Sequence, residues 1–234
     1  LAPASAEARA LRGCMLFMRG DLGAARSEFE QAILLDPSEV RARYNLGALL
    51  LKLGEVEAAR SQFQAVNDIR PGDSEASIAL AVITAKDRPE EAIRLLEAVL
   101  ARSPSQPLAQ ITLAGIYEQT GEWRKALECY EKSLESGSPQ ANTARDAAWL
   151  LATAPDETLL DGERAVELAR YAFQHKADYA LEVLAAAYAR QGDFEQAVRT
   201  QEQSVQRAQN AEQRRLLEER LQLYRAGKAY TRSR

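Results

Sequence analysis

The chain has 234 residues, of which 46% are hydrophobic and 27% charged, as in an ordinary globular protein. Its net charge of −4 gives no electrostatic reason to bind polyanions such as nucleic acids. The apolar run 46–53 is interrupted by Lys52 and is far shorter than the roughly 20 residues that span a bilayer, so no membrane insertion is expected.

The chain begins with a predicted linker, residues 1–4, and continues with a predicted helical hairpin. Ser5 is placed to cap the first helix, which ends at Gly20 because glycine adopts a positive φ without steric cost. Asp21 is then a good N-cap for the second helix. Apolar residues recur at three-and-four spacing in both segments, which predicts two amphipathic helices packed against each other.

The same pattern returns 34 residues later, and six positions match at this fixed offset. The matched positions are Gly13, Gly20, Ala25, Phe29, Ala32 and Pro37 in the first copy and Gly47, Gly54, Ala59, Phe63, Val66 and Pro71 in the second. A single hairpin cannot bury its own apolar face, so copies of it are expected to stack on one another.

The period and the order of residue types resemble the tetratricopeptide repeat (TPR). The pairs Leu46-Gly47 and Ala59-x3-Phe63 match the frame of that repeat directly, although Arg43 stands at its tryptophan position. The resemblance covers nearly the whole chain. It implies an all-α fold, an α-solenoid in the form of a right-handed superhelix, in which the first helix of each pair lines the concave face.

About six repeats and a C-terminal capping helix are predicted on this frame. The fifth repeat has an extended turn, and its runs AWLLATAPD and DGERAVELA resemble a variant found inside bacterial TPR arrays. The solenoid is predicted to occupy residues 5–226, and residues 227–234 are predicted to form a flexible tail. The repeats are predicted at 6–37, 38–71, 73–104, 106–138, 140–175 and 177–209, with the capping helix at 211–226.

Catalytic chemistry finds little support in the residues. His175 is the only histidine, which excludes a metal site with several histidines. The glycines form no phosphate-binding loop, and the carboxylates stand beside arginine and lysine on predicted solvated helix faces. The sequence therefore predicts a protein that is not an enzyme, with no cofactor and no metal.

A stack of helical hairpins produces an extended concave groove, which is the usual binding surface of repeat proteins. Placed on the TPR frame, aromatic, amide and charged side chains are expected to face this groove. Such a mixture suits an extended or helical peptide, although Tyr44 and Trp149 could instead fill gaps between adjacent repeats. The candidate partner-binding residues are Phe17, Arg41, Tyr44, Asn45, Glu118, Asn142, Arg145, Trp149, Tyr179, Glu182 and Arg190.

The sequence thus predicts a non-catalytic scaffold that holds a segment of another protein or peptide in its groove and binds no nucleic acid. One alternative is a regulatory or assembly domain of a larger protein, for example a transferase or a cell-envelope machine. Another is a TPR scaffold that associates with itself. The cytoplasm is the default compartment, and a periplasmic or extracytoplasmic location is the alternative if an upstream signal or anchor was removed.

Overall fold

The computed structural model describes residues 5–136 and 140–233, and these residues form thirteen α-helices, one short 3-10 helix and no strand. The predicted all-α fold of stacked helical hairpins is therefore confirmed. The α-helices are α1 (Ala6–Met18), α2 (Leu22–Leu35), α3 (Val40–Lys52), α4 (Val56–Ile69), α5 (Ser74–Thr84), α6 (Pro89–Arg102), α7 (Pro107–Gln119), α8 (Trp123–Glu135), α9 (Ala141–Thr153), α10 (Gly162–Gln174), α11 (Ala180–Gln191), α12 (Phe194–Gln206) and α13 (Ala211–Arg225). The linker predicted at 1–4, the predicted end of the fourth repeat at 137–138 and residue 234 lie outside the described residues.

The chain divides into two compact units, Leu1–Pro104 and Ser105–Arg234. The first unit contains three helical hairpins, α1 with α2, α3 with α4, and α5 with α6, and each hairpin packs against the next. The second unit contains three more hairpins, formed in order by α7 to α12, and α13 packs against α12. Each unit is therefore a stack of helical hairpins.

The helix ends are formed as the sequence predicts. The side chain of Ser5 accepts a hydrogen bond from the backbone N–H of Ala8 at 3.1 Å, and Asp21 caps α2 in the same way. Gly20 and Gly54 turn the chain within the first two hairpins with φ values of 83° and 79°. Because residues with a side chain rarely adopt such angles, glycine is the residue that closes these turns.

Each of the first two hairpins is held together by an aromatic ring that lies over a glycine. Phe29 and Phe63 are almost fully buried, at 0% and 1% exposure. A Cβ atom added to Gly13 would lie 2.5 Å from Phe29 Cε1, and one added to Gly47 would lie 2.8 Å from Phe63 Cζ. The glycine and the phenylalanine of each repeat therefore recur together because they form one close packing contact.

The fifth hairpin differs in its connection, as the sequence predicts. A 3-10 helix, Glu157–Leu159, lies between α9 and α10, and the backbone N–H of Asp161 donates to the carbonyl oxygen of Leu151 at 3.1 Å. At Gly162 a Cβ would lie only 2.6 Å from the backbone nitrogen of Gln191. The first residue of α10 must therefore be glycine for α10 and α11 to approach this closely.

Candidate functional site

In the first unit, the two predicted aromatic site residues contribute to packing. The ring of Tyr44 meets that of Phe63 edge-on, with centroids 5.4 Å apart and planes at 65°. Phe17 packs against the buried core of the same unit, and Lys52 Nζ lies 5.4 Å from its ring centroid. Tyr44 thus packs against the second helix of its own repeat, and its role in partner binding stays a prediction.

Residues of α3, of α5 and of the connection between α4 and α5 border an open cleft of ≈ 450 Å³, which we call the first inner surface. Arg41 is exposed there, and the side-chain amide of Asn45 donates to the carbonyl oxygen of Arg41 at 2.8 Å. Burial raises the pKa of Tyr44, and the nearby carboxylates of Glu75 and Asp73 raise it further. The cleft therefore offers groups of both charges. Its lining residues are Glu39, Val40, Arg41, Tyr44, Asn45, Arg70, Asp73 and Glu75.

In the second unit, the inner surface is occupied by the chain itself. After α13 the backbone turns at Gly227, whose φ is 67°, and residues 228–233 continue without helix or strand. We call residues 228–233 the inner segment. The sequence analysis treats 227–234 as a flexible tail, whereas the structure places residues 230–232 against α7, α8, α9, α11 and α13. An extended segment lacks the periodicity on which the helical predictions depend, so its place could not be predicted.

The backbone of the inner segment is bound by two groups of the repeats. Arg190 Nη2 donates to the carbonyl oxygen of Tyr230 at 3.0 Å, and its Nε donates to the carbonyl oxygen of Ala152 at 2.7 Å. The backbone N–H of Arg232 donates to the carbonyl oxygen of Thr153 at 2.8 Å. The segment is therefore held partly through its main chain, independently of the identity of its side chains.

The side chain of Tyr230 lies in an aromatic and cationic cluster. Its ring stacks on that of Trp149, with centroids 5.9 Å apart and planes at 28°. The guanidinium of Arg220 lies 4.9 Å from the centroid of each of these two rings. Glu182 pairs with Arg220 at 3.1 Å and so holds this cation in place.

Arg232 occupies a largely enclosed acidic site. Its Nη1 atom donates to Glu118 Oε2 at 2.6 Å, and its Nε donates to Thr153 Oγ1 at 3.1 Å. The side chains of Arg232 and Glu118 are only 18% and 17% exposed. The guanidinium also lies 5.5 Å from the ring of Trp123 and 5.8 Å from that of Trp149, so it combines an ion pair with two aromatic contacts.

The predicted residues of the second unit fall into two groups around this segment. Four of them contact the segment or hold a residue that contacts it: Glu118, Trp149, Glu182 and Arg190. The other three are Asn142, Arg145 and Tyr179. Arg145 and Tyr179 line a cavity of ≈ 170 Å³ together with Trp149 and Glu182, and Arg145 Nη1 donates to Asn142 Oδ1 at 3.4 Å.

The sequence analysis did not include Trp123, Arg220, Tyr230 and Arg232 among the site residues. The available signal was an aromatic residue two positions before an arginine, Tyr230 and Arg232, in a segment predicted to be polar and unstructured. That pattern is short and common, so it identifies a binding segment only when the residues that contact it are known.

Asp146 provides a test of the electrostatics of this surface. Burial raises its pKa above the ordinary value of 3.8, although the ion pair with Arg145 at 2.7 Å acts in the opposite direction. Between pH 3.8 and the raised pKa the folded state binds more protons than the unfolded state, so stability falls as pH rises through this window. We expect Asp146→Asn to raise the free energy of unfolding at neutral pH, with a gain that disappears below this window, as measured by urea denaturation at a series of pH values.

Asp36 is the matched control for that experiment, because its pKa is shifted the other way. Hydrogen bonds from the hydroxyl and the backbone N–H of Ser38 lower the pKa of Asp36 below 3.8. This carboxylate therefore contributes stability that is present above its unfolded pKa and is lost as pH falls through the folded pKa. Asp36→Asn should lower stability at neutral pH. A loss of stability for Asp146→Asn under the same conditions would contradict the assignment of a burial cost to Asp146.

Comparison with known proteins identifies the class of this fold. Matches to the tetratricopeptide repeat family cover residues 16–83 and 84–145, and a further tetratricopeptide repeat match covers residues 179–203. Because these ranges include more than half of the chain, the chain belongs to the tetratricopeptide repeat family, as its sequence pattern predicts. Such repeats are typically protein-interaction scaffolds and are generally non-catalytic. No curated protein matches the chain by sequence.

Several solved structures share the fold. PilF of Pseudomonas aeruginosa is 17% identical with a TM-score of 0.78, and the alignment covers 92% of this chain and 96% of PilF. A tetratricopeptide repeat protein of Parabacteroides merdae ATCC 43184 is 15% identical with a TM-score of 0.71, covering 95% of this chain and 87% of that protein. MamA of Desulfovibrio magneticus RS-1 is 18% identical with a TM-score of 0.61, covering 74% and 96%. At these identities the likeness concerns the fold alone.

Two features of the described residues bear on other classes of function. Within residues 5–136 and 140–233, no group of three or more histidine, cysteine, aspartate and glutamate side chains is arranged to hold a metal ion. None of the helices in the same ranges is both long and apolar enough to cross a membrane.

Proposed function

We propose that the chain is a non-catalytic scaffold that binds an extended segment of another protein on the inner surfaces of its repeats. The observation that carries this proposal is the inner segment of the second unit. That surface binds a stretch of extended polypeptide through its main chain and through an aromatic and a basic side chain. Recognition of this kind, with main-chain bonds for affinity and side-chain sites for selection, is a recurring mode of peptide binding.

The arginines are suited to this role by their hydrogen-bonding geometry. Arg190 bonds one carbonyl oxygen of α9 and one of the inner segment, so its guanidinium bridges the repeat and its occupant. Burial lowers the pKa of Arg190, yet an arginine side chain stays charged in proteins at neutral pH. A partly buried cation that donates to main-chain carbonyls favours a peptide over a ligand without such acceptors.

The first inner surface is proposed as a second binding region, because its cleft holds no segment of the described chain. Arg41 and Glu75 are both exposed there, and Tyr44 presents an aromatic edge between them and the core. Such groups could bond the backbone and the charged side chains of a partner. The candidate contacts in this unit remain Phe17, Arg41, Tyr44 and Asn45.

The test is quantitative capture of partner proteins by the full chain from a lysate of the source cells, with mass-spectrometric identification. The variant Arg41→Glu/Glu75→Lys exchanges the two exposed charges of the first inner surface without altering the core. The matched control, Arg94→Glu/Glu90→Lys, makes the same exchange at exposed positions of α6. We expect a loss of capture of about 10-fold or more for the first variant and none for the second, since charge reversal at a contact typically costs more than 1.4 kcal/mol.

Each other outcome has a definite meaning. Equal capture by the two variants would place the partner away from the first inner surface. The absence of any specific partner for the wild-type chain would contradict the scaffold function itself. If the isolated chain shows catalytic turnover, and substitution of inner-surface residues abolishes it, the function is enzymatic and the scaffold proposal is wrong.

A further inference from the structure

We infer that the inner surface of the second unit selects an aromatic residue followed two positions later by arginine. Residues 228–233 occupy this surface as an internal ligand, and a partner segment with the same pattern must displace them. This inference rests on the proposed function and specifies the sequence that one of its surfaces recognises. It is carried by three features: the aromatic site, the guanidinium site and the spacing between them.

The aromatic site is built for a flat ring. Trp149 offers one face to Tyr230, and Arg220 lies at the same 4.9 Å distance from both ring centroids. The pairing of Arg220 with Glu182 fixes the cation before any ligand arrives. An aliphatic side chain would keep part of the apolar contact but would lose the stacking and cation–π attraction, each of which is worth about 0.5–1.5 kcal/mol.

The second site distinguishes arginine from lysine. Glu118 accepts from Nη1 of Arg232 while Thr153 accepts from Nε, so two different edges of the planar guanidinium are used. A lysine ammonium is a point charge and cannot match this arrangement or stack between Trp123 and Trp149. Glu118 is itself held by the phenol of Tyr130, which donates to its other oxygen at 2.8 Å.

The two sites are filled by residues two positions apart, Tyr230 and Arg232, in a segment without helix or strand. Tyr230 and Arg232 both approach Trp149, whereas the intervening Thr231 is exposed. Arg190 donates a hydrogen bond to the carbonyl oxygen of Tyr230, a main-chain group that every residue has. The hydroxyl of Thr231 also accepts a hydrogen bond from Arg190 Nη2, at 3.0 Å. The recognised pattern is therefore an aromatic residue, a middle residue at which threonine supplies one further bond, and arginine.

The structure of the inner segment is compatible with its release from the binding surface. It contains no helix or strand, and its flanking residues Lys228 and Ser233 are exposed. A short connection through Gly227 gives it a high effective concentration at the site, of the order of millimolar for such linkers. A partner in solution must compete with this internal ligand, so its apparent affinity is its intrinsic affinity multiplied by the fraction of molecules in which the site is free.

The experiment uses a fluorescein-labelled peptide with the sequence of the inner segment, KAYTRS, and measures its anisotropy with the full-length chain. The opened variant is Tyr230→Ala/Arg232→Ala, which leaves every residue of the repeats unchanged. We expect the peptide to bind the opened variant about 10-fold or more tightly than the wild type. The exchanged peptide KARTYS and the lysine peptide KAYTKS should each bind the opened variant about 10-fold more weakly than KAYTRS, and so should KAYTRS after the further substitution Glu118→Gln.

The contrary outcomes are distinct. Equal affinity of KAYTRS for the wild type and the opened variant would show that the segment is not a competitor. Equal affinity of the opened variant for KAYTRS and KARTYS would contradict the proposed sequence selectivity. If no peptide binds an opened variant whose circular dichroism spectrum is unchanged, the proposed binding site does not exist. If the wild type is a dimer and the opened variant is a monomer, the segment is exchanged between two copies of the chain. That result would contradict its role as an internal ligand.

These results can be separated from failure of the proposed function. The variants of the capture experiment above alter only the first unit and leave Tyr230, Arg232 and Glu118 unchanged. Specific capture together with failed peptide binding would overturn only the inference about the second unit.

Discussion

Replacing Phe63 with alanine should lower the free energy of unfolding by about 3–5 kcal/mol, the usual cost of removing a buried phenylalanine ring. The side chain is 1% exposed, lies over Gly47 and meets the ring of Tyr44 edge-on. Its removal leaves a cavity that the two helices cannot fill, because the glycine opposite has no side chain to move into it. Urea denaturation followed by circular dichroism measures the effect.

The matched control for this substitution is Phe173→Ala on α10. That ring is 43% exposed, so its removal should cost no more than about 1 kcal/mol. The contact also predicts non-additivity. A Cβ on Gly47 would lie 2.8 Å from the Phe63 ring, so Gly47→Ala should cost about 1–3 kcal/mol in the wild type and less in a Phe63→Leu background. Equal effects of Phe63→Ala and Phe173→Ala would contradict the stacked-hairpin core described for the first unit.

Replacing Tyr230 with alanine should release the inner segment from the second unit. The substitution removes the stacking on Trp149 and the contact with Arg220. We expect a cost to the bound form of about 2 kcal/mol, equivalent to a roughly 30-fold increase in the released population. The rate of trypsin cleavage after Lys228, followed by mass spectrometry at low protease concentration, reports this population because opening precedes cleavage.

Tyr230→Phe is the control, since it keeps the ring and removes only the hydroxyl. It should leave the cleavage rate within about 2-fold of the wild type, because stacking depends on the ring. Equal acceleration in both variants would assign the binding to the hydroxyl. No acceleration in either would mean that the ring contributes nothing to holding the segment.

The hairpins could be predicted from the sequence because their determinants are local and repeated. A positive-φ glycine such as Gly54 ends a helix whatever surrounds it. The pairing of Gly47 with Phe63 was visible because Gly13 and Phe29 repeat it at the same offset. Repetition makes a close contact detectable without coordinates, since the same two residue types must return together.

The candidate site could be predicted only in part. The repeat frame selected Glu118, Trp149 and Arg190 because a helix periodicity fixes the face on which each residue lies. It could not select the groups that face them. Tyr230 and Arg232 follow no period, and their partners lie about 80 residues or more away along the chain, at Trp149 and Glu118. Contacts between an extended segment and distant helices leave no local pattern.

The most direct test of this account is the contact between Tyr230 and Trp149 in solution. Nuclear Overhauser effects between their ring protons should be observed for the wild-type chain at concentrations where light scattering shows a monomer, because the ring centroids are 5.9 Å apart. The amide proton of Arg232, bonded to the carbonyl oxygen of Thr153, should exchange slowly with solvent. Absence of these ring contacts, together with rapid exchange at Arg232, would contradict the binding of extended polypeptide on which the proposed function rests.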